Sequence, residues 1–321
     1  MQPDGPTPAS EAPGPGHGQR VTAPLWLLTS LGVQAASVPI RAVGSLARPV
    51  RAGIGRDVRR SLGLPEVPGP RVTDPDLAFY HPDSVVRRVN GDLPAMLVGG
   101  LSALLLQTLH PLAMAGVAEH SRYREDPLGR LRRTAAFVGA TTFGTNGHAH
   151  EAIERVKQVH RRVKGVAPDG RPYSADDPEL VTWVHVAEVF SFLQAARRFG
   201  PMRFGAAECD AYYAETARVA YALGAEWAPR TAGEVVAYFL RVRPELYAGP
   251  QALAARDFLL RGVGHRPEDR AVHTLVARGA VSLLPGWARS ELRIPTPPAV
   301  DPLLVVPLAR IFCAGLRWAV T

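Results

Sequence analysis

Apolar residues along most of the chain recur at intervals of three and four, the spacing that places them on one face of an α-helix. From Asp92 onward this pattern is almost continuous, with neither a convincing strand-like alternation nor a fixed-period repeat. The sequence therefore predicts an all-α protein. After a long apolar segment, helices are predicted over residues 127–143, 147–164, 176–199, 207–223, 231–242, 250–262 and 268–282.

Three of these helices have local boundary signals. An aspartate ahead of Pro178 is typical of a helix start. Thr231 followed by Glu234 has the spacing of a capping box. Gly165 after Lys164 predicts the end of the helix that begins at residue 147.

The segment from Ala95 to Ala118 contains no charged residue. Its length alone would allow it to cross a membrane. Its second half contains polar or helix-breaking residues, namely Gln107, His110 and Pro111. We therefore expect a helix buried at the centre of the protein, close to a neighbour at Gly99 and Gly100 and ended or kinked by Pro111.

Composition divides the chain into four parts. Residues 1–22 are rich in Pro and Gly and poor in apolar residues, which predicts a disordered tail. Residues 23–71 form an apolar and then Pro-rich extension. The main helical domain is predicted over residues 72–292, and residues 293–321 form a Pro-rich arm and a final apolar helix.

Two apolar segments raise the question of membrane contact. Residues 23–50 begin with eighteen uncharged residues, including a Trp, and arginines follow. This combination suits a helix lying in a membrane interface, whereas Pro24 and Pro39 weaken a membrane-spanning interpretation. The alternative is a helix packed on the main domain. The same two interpretations apply to residues 304–320.

Charge and cysteine content exclude several classes of protein. The formal net charge is +8, but the arginines are scattered in pairs, unlike the clustered basic face of a nucleic-acid-binding protein. The only cysteines, Cys209 and Cys313, exclude a disulfide framework and a cysteine-based metal site. Their scarcity suits a reducing cytoplasm, and any metal must be held by histidine or carboxylate.

Two histidines lie on predicted apolar helix faces. His160 shares a helical stripe with Ile153 and Val156, and His185 shares one with Val181 and Val189. For each one alone, a core histidine satisfied by one hydrogen bond is the simpler interpretation. Two such histidines on neighbouring helices also suit a haem, which needs an apolar slot and an axial imidazole. His110, beside Pro111, is expected to cap a helix.

The segment DPLGRLRRT, residues 126–134, supplies candidate anion-binding groups. Arg130 and Thr134 are one helical turn apart and face the same way, and Arg133 lies close to that face. Arginine binds carboxylates well, including the propionates of haem. The alternative is a helix start with arginines exposed to solvent.

These residues stand in blocks that resemble the catalytic domain of the mpaB/rubber-oxygenase family. The resemblance covers about residues 75–290, with the blocks in the family's order. They are ALLLQTLHPLAMAGVAEHS (103–121), DPLGRLRRT (126–134), FGT (143–145), VHRRVKG (159–165) and DPELVTWVHVAEVFSFL (177–193).

The resemblance implies a globin-like helical core that holds haem b, with His160 as the proximal axial ligand. Arg130 and Thr134 match two residues of the family's RLxxT block. The family's distal lysine falls on Arg133, whose guanidinium is a poor iron ligand, so an open or water-bound distal site is expected.

The resemblance also assigns roles to three further residues, and it leaves alternatives to these roles open. Thr182 and His185 match a pocket-lining stretch, and His185 is also the alternative axial ligand. Glu119 is the nearest candidate for the family's catalytic carboxylate, although its spacing from Arg130 does not secure that role.

The function implied is a haem b-dependent oxygenase that uses dioxygen on a hydrophobic substrate, either a small isoprenoid or terpenoid or a polymer. The apolar residues Leu104–Leu109 are expected to line the substrate site. Two alternatives belong to other classes. One is a haem-binding or redox-sensing protein without turnover, and the other is a haem-free helical protein that binds a hydrophobic ligand.

Overall fold

In the computed structural model, residues 71–262, 267–295 and 300–320 are described. The predicted tail and nearly all of the predicted N-terminal extension lie outside these residues. The described chain contains α1 (Val85–Asn90), α2 (Leu93–Gln107), α3 (Pro111–His120), α4 (Pro127–Phe143), α5 (Asn146–His160), β1 (Lys164–Val166), β2 (Pro172–Ser174), α6 (Pro178–Phe199), α7 (Ala206–Leu223), α8 (Ala232–Val242), a 3₁₀ turn (Arg243–Glu245), α9 (Pro250–Arg261), α10 (Pro267–Leu283), α11 (Gly286–Glu291), a π-helical turn (Asp301–Val305) and α12 (Val306–Val320).

The prediction of an all-α protein is confirmed, and two helix starts follow from the expected caps. The Asp177 carboxylate accepts a hydrogen bond from the backbone N–H of Glu179 at the start of α6. The Thr231 hydroxyl accepts one from the backbone N–H of Glu234 at the start of α8. These side chains satisfy N–H groups that have no partner within the helix.

The predicted helix over residues 147–164 is wrong at its end, because α5 stops at His160 and an antiparallel hairpin follows. Gly165 does not end a helix but pairs with Tyr173 across the hairpin. A Cβ atom on Gly165 would lie 2.5 Å from the Tyr173 hydroxyl, so any larger residue here would displace the Tyr173 side chain. Strands of three residues are too short to show a reliable alternation in the sequence.

The central apolar segment forms two helices instead of one. α2 ends at Gln107, Pro111 is the first residue of α3, and the two helices are bent by 107°. Proline suits this first position because its missing N–H would have no helical partner there. The expected interruption at Pro111 is therefore a sharp change of direction.

α6 is the central element of the fold. It packs most extensively on α2, and it also contacts α7, α1 and α10. Trp183 is fully buried on it, its indole N–H donates to the Gln107 carbonyl at 3.3 Å, and the Gln107 amide donates to the Val184 carbonyl at 3.1 Å. These bonds attach the last turn of α2 to the first half of α6.

The last helix packs on the main domain. α12 contacts α2, α6 and α10, and Ala309 and Cys313 on its inner face are buried. Arg317 donates to both carboxylate oxygens of Asp92, at 2.7 and 2.8 Å. This bidentate ion pair holds the end of α12 beside the start of α2.

Length and composition would allow one described helix to cross a membrane, namely Asp301–Ala319, of which 28% is buried inside the protein. The bent pair α2 and α3 passes the same test only if it is counted as one span. A core helix of a soluble protein has the same length and composition, so this is weak evidence of a membrane span.

The two glycines of α2 should respond differently to alanine. A Cβ atom at Gly99 would lie 3.0 Å from the Ala195 Cβ and 3.1 Å from the Ser191 carbonyl, whereas one at Gly100 would approach only Phe192, at 3.9 Å. We expect Gly100→Ala to raise the free energy of unfolding by up to about 1 kcal/mol through helix propensity. Gly99→Ala should lower the free energy of unfolding below the wild-type value by about 1–2 kcal/mol through overpacking. Urea unfolding of both variants measures this, and equal stabilisation would contradict the packing described.

Candidate functional site

The consecutive helices α4 and α5 each carry one predicted site residue near the far end. The helices are joined at Gly144 and Thr145, and they contact each other. Arg130 lies on α4 and His160 on α5, each about four helical turns from this connection. Each residue therefore lies toward the end of its helix that is remote from the connection.

The inner stripe of α4 is only partly covered. Leu128, Leu131, Ala135 and Val138 share one helix face, and all four are half-buried. Fully buried residues of α4 occur only in its last turn, at Thr141 and Thr142. An apolar stripe that its own fold does not cover is typical of a ligand-binding slot. We call this stretch, residues 128–138, the α4 slot.

His160 has an unsatisfied ring nitrogen. Its Nδ1 is buried without a hydrogen-bond partner in the part of the chain that the structure describes. Burial lowers the pKa of His160, and the Asp176 carboxylate opposes this shift. The imidazole is therefore neutral at pH 7, which is the form that binds a metal.

Arg130 is a half-buried cation without a carboxylate among the described residues. Its Nη1 donates to the Ser121 hydroxyl at 2.7 Å. Burial lowers the pKa of Arg130, and the neighbouring Arg133 adds to this effect. A guanidinium in this setting is suited to an anionic ligand group.

Arg133 and Thr134 are exposed to solvent. The Arg133 guanidinium, 67% exposed, lies 3.3 Å from the Asp126 carboxylate. Asp126 also caps α4 by accepting from the backbone N–H of Gly129. Arg133 therefore pairs with the helix cap and does not point into the slot.

His185 is buried on α6 with its Nε2 unpartnered among the described residues. Burial lowers the pKa of His185 to about 4, so this imidazole is also neutral. Thr182, one turn earlier, is within hydrogen-bond distance of the Pro178 and Trp227 carbonyls, at 2.8 and 2.9 Å. Its hydroxyl thus attaches α6 to the loop before α8.

Glu119 lies in a different contact. This exposed carboxylate accepts a hydrogen bond from the Tyr173 hydroxyl, which also lies 3.1 Å from the His120 ring. Burial and the Glu119 carboxylate raise the pKa of Tyr173 to about 12. Glu119 therefore links the end of α3 to β2.

Two other sequence expectations are wrong. Leu105, Leu106 and Leu109 are fully buried in the main core and do not offer a surface to a substrate. His110 precedes α3 at the bend, but its side chain makes no capping hydrogen bond. Burial lowers the pKa of His110 to about 4, so it is a neutral core residue beside Trp183.

Sequence reasoning missed Glu188. It follows His185 by three residues, so the two side chains leave α6 on adjoining parts of one face. Glu188 keeps some accessible surface, yet the protein around it raises its pKa to about 7. Desolvation by the surrounding protein therefore favours the protonated form of this carboxyl group. An acidic residue in the middle of an apolar helix was the signal in the sequence.

Unpaired hydroxyl groups lie near this acid. Ser191 and Tyr212 are both fully buried, and neither hydroxyl has a hydrogen-bond partner in the described part of the chain. The Tyr212 phenol is close enough to Glu188 for the carboxylate to help raise its pKa. Such groups usually bind internal water.

The residues of α4 and α5 fit a haem. The α4 stripe is apolar and half-buried, His160 is neutral with an unpartnered ring nitrogen, and Arg130 has no carboxylate partner among the described residues. Within the described ranges, no group of three or more His, Cys, Asp or Glu side chains is arranged to hold a metal ion. Haem iron needs only axial ligands from the protein, so a haem does not require such a group.

Comparison with known proteins gives one match. The model of the family described as "ER-bound oxygenase mpaB/B'/Rubber oxygenase, catalytic domain" matches residues 87–318, which include α4, α5 and α6. No curated protein and no solved structure matches the chain.

Glu188 should make stability fall as the pH rises. Its pKa is about 7 in the folded protein and 4.5 in the reference state, so between these values only the folded state holds the proton. Raising the pH across this range should cost up to about 3 kcal/mol, a loss that Glu188→Gln abolishes. The buried histidines make stability rise with pH below pH 6.5. The measurement is therefore the unfolding free energy of the wild type minus that of Glu188→Gln, taken from pH 4.5 to 7.5. If this difference did not change with pH, Glu188 would be shown to be solvated.

Proposed function

Because this chain belongs to the ER-bound oxygenase mpaB/B' and rubber oxygenase catalytic-domain family, we propose that it is a haem b-dependent oxygenase acting on a hydrophobic, isoprenoid- or terpenoid-like substrate. The family makes it an oxygenase-type protein. The haem and the substrate class are the proposal, and they are supported by the residues around the α4 slot.

The observation that carries the proposal is the half-buried, neutral His160 at the end of α5, whose buried Nδ1 has no partner among the described residues. An unpartnered polar atom of this kind costs about 1–3 kcal/mol of desolvation unless a ligand satisfies it. An axial bond to haem iron would use the imidazole lone pair and remove part of that cost. His160 is therefore assigned as the axial ligand.

Arg130 is assigned to a haem propionate. It is half-buried and is held in place by the Ser121 hydroxyl, so its guanidinium is oriented before the ligand arrives. A carboxylate partner would form a charge-assisted hydrogen bond with it. The same contact would fix the rotation of the ring in the slot.

The haem, when bound, supplies the iron centre at which dioxygen is activated. The chain contributes the half-buried apolar stripe of α4, which provides a surface for hydrocarbon and restricts water. Arg133 is turned toward Asp126 and supplies no amine to the slot. Glu188, whose pKa is raised to about 7 and which is therefore partly protonated at neutral pH, is a carboxyl group available to transfer a proton.

A haem-binding or redox-sensing protein without turnover is the second candidate. It is favoured by the position of Arg133. This residue stands where the family has its distal lysine, and its side chain pairs with Asp126 and does not reach the slot. Glu119, the nearest candidate for the family's catalytic carboxylate, also accepts a hydrogen bond from Tyr173 in the contact between α3 and β2.

Axial ligation is tested by changing two histidines of the same helix. We expect His160→Ala, expressed with haem supplementation, to lose most of its bound haem or to show a shifted Soret band, and added imidazole to restore the wild-type spectrum. His148→Ala is the control, because His148 is exposed at the start of α5 and should keep the wild-type haem content. Full haem occupancy with an unchanged spectrum in His160→Ala would refute the assignment and make His185 the next ligand to test.

Turnover separates the candidate functions. Haem-loaded wild-type protein should consume oxygen when an isoprenoid is added, with an oxidised product detectable by mass spectrometry. Haem-bound protein that consumes no oxygen would favour the sensor. Colourless protein from haem-supplemented cells would exclude both haem functions and leave the haem-free binder of a hydrophobic ligand.

A further inference from the structure

The outward face of the last helix is apolar and is left exposed by the described residues. Leu303 and Leu304 in the π-helical turn are 76% and 56% exposed, and Leu308 and Ile311 in α12 are 43% and 69% exposed. A contiguous apolar surface of this kind on a folded domain is typical of an interaction site.

The charges of this helix lie at its edges. Asp301 is paired with Arg289 at 2.6 Å, and Arg317 is paired with Asp92. Arg310 has no carboxylate partner in the described chain, and its Nε donates to the Arg198 carbonyl at 2.9 Å. No acidic side chain therefore interrupts the exposed face between Leu303 and Ile311.

Two arginines form a positive edge beside this face. The Arg198 side chain donates to the Ser282 carbonyl and, like Arg310, has no carboxylate partner among the residues described. Burial lowers the pKa of Arg198, the charges of Arg289 and Arg310 lower it further, and the Asp301 carboxylate opposes this shift. Because Asp301 is paired with Arg289, Arg198 and Arg310 remain suited to an anionic partner.

A groove of about 260 Å³ lies along the same surface. It is lined by the side chains of Leu275, Arg278, Val300, Leu304, Val305 and Leu308. Arg278 is exposed and makes no hydrogen bond or ion pair within the described ranges. A hydrocarbon-lined groove with one guanidinium matches part of an acyl chain and its phosphate group.

We propose that this surface, which we call the α12 surface, docks onto an anionic phospholipid bilayer with the helix lying parallel to the membrane. The exposed leucines and Ile311 would enter the acyl boundary, and Arg198, Arg278 and Arg310 would contact lipid phosphates. The buried Ala309 and Cys313 and the Arg317–Asp92 pair keep the other face of α12 on the domain. The helix therefore lies on the membrane and does not cross it.

A second copy of the chain fits the α12 surface less well. A helix of fifteen residues is about 22 Å long and about 10 Å wide. It offers a few hundred Å² at most, whereas a stable dimer buries about 800 Å² on each partner. Pairing the α12 surface with the same surface of a second copy would also bring the arginines of the two copies together. A bilayer needs no such area and supplies the opposite charge.

The test is vesicle flotation with the full chain, which does not depend on haem or turnover. We expect binding to vesicles of phosphatidylcholine with phosphatidylglycerol, weaker binding to phosphatidylcholine alone, and loss of binding in high salt. The Leu304→Gln/Ile311→Gln double variant should bind at least tenfold more weakly. The control is Val236→Gln/Leu240→Gln on α8, where both residues are 60–73% exposed, and it should bind like the wild type.

Arg310→Gln should weaken binding to the anionic vesicles and reduce its salt dependence, with an unchanged melting temperature. This variant also tests the proposal if the double variant fails to fold. Unimpaired vesicle binding by the double variant would overturn the proposal and place membrane contact elsewhere in the chain. A wild-type dimer in light scattering that the double variant converts to monomer would overturn it in favour of a second copy.

Discussion

The packing of α2 against α6 is the contact on which the rest of the structure depends. Gly99 lets the two helices approach so closely that a methyl group would meet Ala195 and the Ser191 carbonyl. The Trp183 and Gln107 hydrogen bonds then hold the end of α2, and the 107° bend directs α3 toward β2 and α9. Ser121 follows α3 directly, and its hydroxyl holds Arg130. The geometry of the slot thus depends on a helix contact outside it.

Desolvation determines the electrostatics of the interior more than ion pairing does. It lowers the pKa of His160 and of His185, and it raises that of Glu188. Both imidazoles are therefore neutral at pH 7 and keep a lone pair, and the Glu188 carboxyl is partly protonated there and can exchange a proton. Elsewhere, the buried Asp92 and the half-buried Asp301 are each paired with an arginine. Buried polar atoms without a partner among the described residues remain at His160 and His185, and also at Ser191 and Tyr212.

Much of the fold follows from local sequence, because helix periodicity and caps act within a few residues. The extent of α4 and the caps at Asp177 and Thr231 are examples. The β1–β2 hairpin was not predictable, since it depends on Tyr173 packing over Gly165 and bonding to the distant Glu119. Within the site, helical spacing placed His185 on an inward face. Helical spacing does not show that Arg133 turns to Asp126 or that the surroundings of Glu188 raise its pKa, because both depend on tertiary contacts.

The central claim is that one histidine of this chain, His160, is the protein ligand of a haem in the α4 slot. Resonance Raman spectroscopy of the ferrous, haem-loaded full chain tests it most directly, because the iron–histidine stretching band reports the axial bond itself. The account predicts a five-coordinate haem with a single histidine ligand and a band that is absent from His160→Ala but present in His185→Ala. A six-coordinate bis-histidine spectrum, or a band that survives in His160→Ala, would contradict it.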